Sequence, residues 1–443
     1  MESILGIIFA FAIVFGILVF VHEFGHFFMA KLVKIRVEVF SFGFGKRLFG
    51  FKKGETDYRV SLIPMGGYVR FTGEDSYERK EDLDPGDFMA KKRWQRFLVM
   101  VMGPVMNIFL ALVFVTIINM AGVSVPEYQM QKPVIGWIEP GSPADKVNLQ
   151  VGDRILSINN KLTKTWSDVE LAVGTKPKRT IEVQVKRKDE ILKIHLITES
   201  KTRYELGYAG FFGEILTQLM MVKPGSPAEK AGLLPGDVIL AINGQPVYYY
   251  KFVEIIQNNP DKPLEFLIER QGKRLTLQVT PRHEGAVGRI GIMQGPKSIT
   301  EKYGFFKAAA QSFKQNTKLA FLVINFIKEL ITGEASAKQL GGPIEIANFS
   351  YAALRMGLLA MMSWIALFSL QLGIINLFPI PVLDGGQIFV LALEGIFRKD
   401  FSPKVKQIVM QIGFAMFLFI LVFVILNDIV KRLPNGWESL IPW

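Results

Sequence analysis

Four apolar stretches, about Ile4–Leu32, Phe97–Gly122, Leu354–Phe378 and Ile408–Ile429, punctuate this chain, each near the ~20 residues a helix needs to cross the hydrocarbon of a bilayer. Hydrocarbon offers no water to the backbone, so a spanning segment must satisfy its own N–H and C=O groups, as a helix does. The sequence therefore predicts a polytopic α-helical membrane protein with four transmembrane helices and soluble insertions. Composition agrees: 50% of the 443 residues are hydrophobic and mean hydropathy is +0.28, too apolar for an ordinary soluble enzyme. The first stretch is not expected to be a cleaved signal peptide, because it lacks a basic leading region and a small-residue cleavage site.

The net charge of +12 is clustered. Lys31, Lys34, Arg36, Lys46, Arg47, Lys52 and Lys53 follow the first stretch, and Lys91, Lys92, Arg93 and Arg96 precede the second. The positive-inside rule then makes the first loop cytoplasmic and both termini external. Arg398, Lys399, Lys404 and Lys406 agree, whereas Lys431 and Arg432 do not. Charges that flank spans meet the head groups of the lipid bilayer, so no nucleic acid partner is expected. Cysteine is absent, which excludes disulfides and a thiolate nucleophile.

The first stretch carries ionisable groups. His22-Glu23-Phe24-Gly25-His26 lies toward its inner end; a charge at mid-bilayer costs roughly 2.5–3.5 kcal/mol on insertion scales, and ionisable residues within or against hydrocarbon are kept when they have a use. A helix sets residues four apart on one face, so both imidazoles can grip one zinc ion while Glu23 reaches the water that the ion activates. A hydrolytic zinc takes three protein ligands. The strongest candidate for the third is Asp384, in Asn376-Leu377-Phe378-Pro379-Ile380-Pro381-Val382-Leu383-Asp384-Gly385-Gly386. By topology the first and third stretches run the same way, so the histidine motif and Asp384 fall at similar depth. Pro379 and Pro381 break the span and free carbonyls, tolerable only around a covered or watery site. The expectation is His22, His26 and Asp384 as metal ligands with Glu23 as general base. Asn376 either binds a substrate backbone or satisfies the broken helix; His195 and His283, among charged neighbours, read as surface residues.

Between the second and third stretches lies an internal repeat. Pro140-Gly141-Ser142-Pro143-Ala144 recurs from Pro224, and Gly152-Asp153-Arg154-Ile155 is matched from Gly236, both displaced by 84 positions (224 − 140, 236 − 152). This pattern resembles the core of bacterial PDZ domains over most of 129–293, which topology places outside the cytoplasm. The first copy has Val147-Asn148 where the second has Ala231-Gly232, leaving peptide binding by the first copy open. Domains are expected at 1–126 (first two spans and the loop between), 127–212 and 213–298 (the two α+β modules), 299–350 and 351–443 (last two spans). Within 299–350, Tyr303–Thr332 reads as an amphipathic connector helix on the membrane surface, broken by Leu340-Gly341-Gly342-Pro343.

In the first loop, Arg36–Phe42, Tyr58–Leu62 and Tyr68–Phe71 alternate like strands between glycines. Such a β-sheet either ties two spans together or offers an open edge, at Tyr68 and Val69, to an extended substrate.

Together these residues resemble the site-2 protease family of intramembrane zinc proteases, and the tandem modules narrow the resemblance to its regulator of sigma-E protease group from Gram-negative inner membranes. Gly103-Pro104 with Asn107, and Gly341-Gly342-Pro343-Ile344, look like further family patterns. The resemblance implies Zn2+ as cofactor, His22, His26 and Asp384 as its ligands, Glu23 as base and Asn376 as a substrate contact. It further implies single-span membrane substrates, such as an anti-sigma factor trimmed by another protease or remnant signal peptides, with the PDZ pair as a size filter in the periplasm. A zinc transporter or a PDZ-bearing scaffold would be the alternatives.

Overall fold

The computed structural model describes residues 4–74, 83–201, 206–285, 287–336 and 339–431; Arg432 lies outside them. They divide into two compact units, one of Met1–Gly122, Lys302–Thr332 and Leu340–Trp443, the other of Val123–Glu301 and Gly333–Gln339.

The first unit contains α1 (Ile4–Leu32), the hairpin β1 (Val37–Lys53) and β2 (Thr56–Phe71), α2 (Arg93–Ala121), α3 (Phe305–Ile331), α4 (Pro343–Met356), α5 (Leu358–Asn376), α6 (Asp384–Ile396) and α7 (Pro403–Val430). Four of these helices, α1, α2, α5 and α7, are long and apolar enough to cross a membrane. The apolar window of α5 is 39% buried and that of α7 only 6%, so α5 is the most covered of the four while α7 presents Phe414, Phe419 and Ile420 outward, as a lipid-facing helix does. The third apolar stretch starts later than its hydropathy suggests. Gly357, at φ 105°, ends α4 and begins α5, so Leu354 belongs to the preceding helix although it is as apolar as the span. The expected break before it is present, with Pro343 opening α4.

Close approach organises the bundle. A β-carbon on Gly25 would lie 2.4 Å from the Met102 carbonyl oxygen, so α1 and α2 meet with almost no side chain between them. The amphipathic α3 packs along α2 by its small polar face. Ala308, Ser312 and Asn316 are buried, Ser312 donates to the Leu112 carbonyl at 2.8 Å, and Phe306, Phe313 and Phe321 point outward. The helix is thus held against a span along its small polar face. Near the end of α7 the buried Asp428 carboxylate accepts from the N–H groups of Gly342, Ile344 and Glu345, which caps α4 and offsets its dipole.

The hairpin is bent back on itself. Phe40 of β1 is paired with both Val69 and Tyr58 of β2, and Phe49 to Lys53 pair with Val60 to Thr56. The last stretch of β2, Gly67–Phe71, has β1 on one side and forms an edge.

In the second unit the repeat is structural as well as sequential. Ser142 and Ser226 each cap a short helix, Pro143–Lys146 and Pro227–Lys230. The buried Asp153 and Asp237 each receive a guanidinium, from Arg187 and Arg270, at 2.7 Å. One core gathers Ile155, Ile158, Ile181 and Val183, the other Ile239, Ile242, Phe266 and Ile268. Asn148 replaces Gly232 without changing the turn: both adopt positive φ, 56° and 81°, and both carbonyls accept from the same arginine of their copy. Asparagine tolerates this region better than other side chains.

Candidate metal centre

One turn of α1 separates His22 from His26, and their Nε2 atoms lie 3.2 Å apart. Asp384 opens α6 after the Pro379–Leu383 turn and places Oδ2 3.0 Å from His22 Nε2 and Oδ1 3.5 Å from His26 Nε2. The expected trio thus converges, with one ligand atom from each residue within 4.8 Å of the others. The turn that delivers Asp384 is tight: a β-carbon on Gly385 would meet the Phe378 carbonyl oxygen at 2.3 Å.

Hydrogen bonds behind the imidazoles decide which nitrogens face the centre. His26 Nδ1 is 2.8 Å from the Val99 carbonyl oxygen. A carbonyl only accepts, so Nδ1 carries a proton, and the neutral ring then presents a lone pair at Nε2. His22 Nδ1 is 3.2 Å from the side-chain amide of Asn107, a fully buried residue whose Oδ1 has no hydrogen-bond partner. With the amide turned so that Oδ1 faces the ring, Oδ1 accepts from Nδ1–H. His22 Nε2 then also presents a lone pair.

Two such lone pairs and a carboxylate at these distances repel one another unless a cation lies among them. The buried Asp384 Oδ2 likewise has no hydrogen-bond partner among the described residues. Two neutral imidazoles and one carboxylate are a donor set suited to zinc, with a fourth position left for water or substrate.

The structure adds residues that the motif does not reveal. A β-carbon on Gly103 of α2 would fall 2.3 Å from His26 Nε2 and 2.9 Å from His22 Cε1, so only glycine lets α2 close over the centre. Asn107 and the Val99 carbonyl are the supports just described. In the sequence, Gly103 and Asn107 stood out only as part of a family pattern, with Asn107 one of two asparagines in an apolar stretch, and Val99 gave no signal.

Glu23 stands between the ligands and the hairpin, and its carboxylate accepts from the Val69 backbone N–H at 3.1 Å. Val69 faces Phe40 across the sheet. Tyr68 stacks on Phe44 and its hydroxyl accepts from Arg59. Asn376 is the buried last residue of α5, at the start of the turn to Asp384. His195 and His283 are exposed and pair with Glu182 and Asp261.

The sequence matches peptidase family M50 over residues 10–420. It is 34% identical to the regulator of sigma E protease of Salmonella typhi, across 97% of this chain and 99% of that protein. It is 33% identical, with the same coverage, to the regulator of sigma-E protease RseP of Escherichia coli K12. A regulator of sigma E protease from Haemophilus influenzae is 31% identical over 95% of this chain and 98% of its own. A family match over nearly the whole chain and a donor set suited to zinc agree: the chain belongs to peptidase family M50, the site-2 proteases, and is a membrane-embedded zinc metalloprotease.

Proposed function

We propose that the protein hydrolyses peptide bonds within the transmembrane segments of single-span membrane proteins. In this reading His22, His26 and Asp384 hold the zinc, Glu23 is the general base, and Asn376 with the edge at Tyr68 and Val69 holds the substrate backbone. The hydrogen bond from Val69 to Glu23 carries the reading. It brings the outer edge of β2 beside Glu23, the carboxylate next to His22 in the chain. A helical substrate has its scissile carbonyl occupied, so it must unwind, and an open strand edge offers the lost backbone hydrogen bonds.

Bound zinc supplies Lewis acidity and brings the pKa of water toward ~7. Glu23 accepts a proton from the water as it attacks the carbonyl carbon, then returns one to the amine nitrogen as the C–N bond breaks. General base catalysis of this kind contributes ~10²–10⁴-fold. Glu23→Gln keeps the shape and removes the base. Purified in parallel with wild type, it should retain zinc and cleave a single-span substrate at least ~10²-fold more slowly; near-normal turnover rejects the role.

The two copies of the insert are read as PDZ modules in the periplasm of an inner-membrane enzyme, with the metal centre toward the cytoplasmic side. Tethered at both ends, by α2 and α3, they act as a size filter against substrates that still carry a folded external domain. Substrates would then be trimmed by another protease first. The relatives' names, which refer to regulation of sigma E, favour an anti-sigma factor, and remnant signal peptides share its form. One observation favours recruitment instead: the second copy has a groove of about 500 Å³ lined by Ser226, Phe252, Val253, Ile256, Arg289 and Ile292, suited to an extended peptide end.

A further inference from the structure

Arg96, in the first turn of α2, is 2% exposed, yet its Nε and Nη2 have no hydrogen-bond partner among the described residues. Its Nη1 reaches only the Met89 sulfur at 3.4 Å, a weak acceptor. Asp400 Oδ1 is 3.9 Å from Nη2, beyond hydrogen-bond range, and is engaged by Arg93 at 2.7 Å. The nearby Glu394 carboxylate is committed to Lys406 at 2.8 Å and to the Phe401 N–H. Buried polar groups in native proteins are nearly always satisfied, so two unmet donors on a guanidinium point to a group that completes them.

Arg96 lines a cavity of about 250 Å³. Met100, Val390, Leu391 and Met410 give it an apolar wall, and Gln387 with the Glu394–Lys406 pair completes its polar side. The cavity lies beside the reaction centre, because Pro381 and Gly386, either side of Asp384 in the chain, form part of its lining. Glu74, three residues beyond the end of β2, also lines it. The same edge that passes Glu23 therefore leads toward this cavity.

Resting on the reading of β2 as the substrate's seat, we propose that the cavity is a specificity subsite for a substrate side chain with an apolar stem and an oxygen acceptor at its tip, glutamine or glutamate. Arg96 is the residue that reads the tip. The stem replaces solvent along the apolar wall, and the oxygen accepts from Nε and Nη2, which have no hydrogen-bond partner among the described residues. A site built to donate hydrogen bonds discriminates against analogues that lack the acceptor, since binding them leaves its donors unmet.

The test uses the full-length, zinc-loaded protein and single-span substrates in which each position near the scissile bond is in turn glutamine, glutamate or methionine. At one position, glutamine or glutamate should raise kcat/KM at least ~10-fold over methionine. Arg96→Met should bring that ratio to about one, and Arg96→Lys, which keeps a donor, should recover part of it. Val390→Phe, which narrows the cavity without touching a polar group, should also lower the ratio while zinc content stays at the wild-type level. No preference at any position, or one that survives both Arg96→Met and Val390→Phe, overturns the subsite. Cleavage without preference leaves the protease reading standing, whereas wild type that cuts none of the substrates rejects that reading and the subsite together.

Discussion

The Glu23 carboxylate accepts a 3.1 Å hydrogen bond from the backbone N–H of Val69, joining the helix that carries the histidines to the outer edge of the hairpin. Substituting proline for Val69 removes that donor and interferes with pairing on the edge, while His22, His26 and Asp384 are untouched. Cleavage of a single-span substrate by Val69→Pro should fall at least ~10-fold, the scale of losing one to two hydrogen bonds, with zinc content unchanged. Normal turnover in this variant and in proline variants at neighbouring edge positions would leave the hairpin a purely structural role.

Asn107 supports His22 from behind at 3.2 Å. Loss of such a partner costs 10–100-fold in metal affinity, so Asn107→Leu should lose zinc to a chelator at correspondingly lower concentration. Asn107→Asp, which retains an acceptor for Nδ1–H, should hold zinc more firmly than the leucine variant. Equal resistance of wild type and Asn107→Leu to the chelator would show that the amide does not orient the ring.

Legibility followed the range of the interaction. The i, i+4 histidines, the apolar stretches and the offset of 84 residues between copies are local patterns, and α1, α2 and α7 lie where the sequence placed them. Asp384 was reachable because topology set it at the depth of the histidines. Asn107 received no role because its partner is 85 residues away, and Arg96 was read only as one more basic residue at a span's inner end. The start of α5 was misplaced because Gly357 divides two helices of similar hydropathy. Asp428 was hidden for the same reason as Asn107: its partners, Gly342 to Glu345, lie far back in the chain.

Filtering and recruitment by the insert differ in sign. Under the filter, removal of residues 129–293 should let the enzyme cut substrates that keep their external domain, with little change for trimmed ones. Under recruitment, the same deletion slows cleavage of trimmed substrates and leaves untrimmed ones intact. Gel-based cleavage of both substrates by both enzyme forms separates the two, and unchanged rates in all four combinations would leave the modules without a part in selection.

Zinc retention by Asp384→Asn tests the metal centre most directly. The amide preserves size but weakens the ligand and removes the negative charge that balances the ion. Metal analysis after dialysis against a chelator should find stoichiometric zinc in wild type and in Glu23→Gln, with Asp384→Asn largely depleted and Glu23→Gln inactive despite its zinc. If Asp384→Asn keeps zinc as firmly as wild type, Asp384 is not a ligand and the centre assembled from α1 and α6 is wrong.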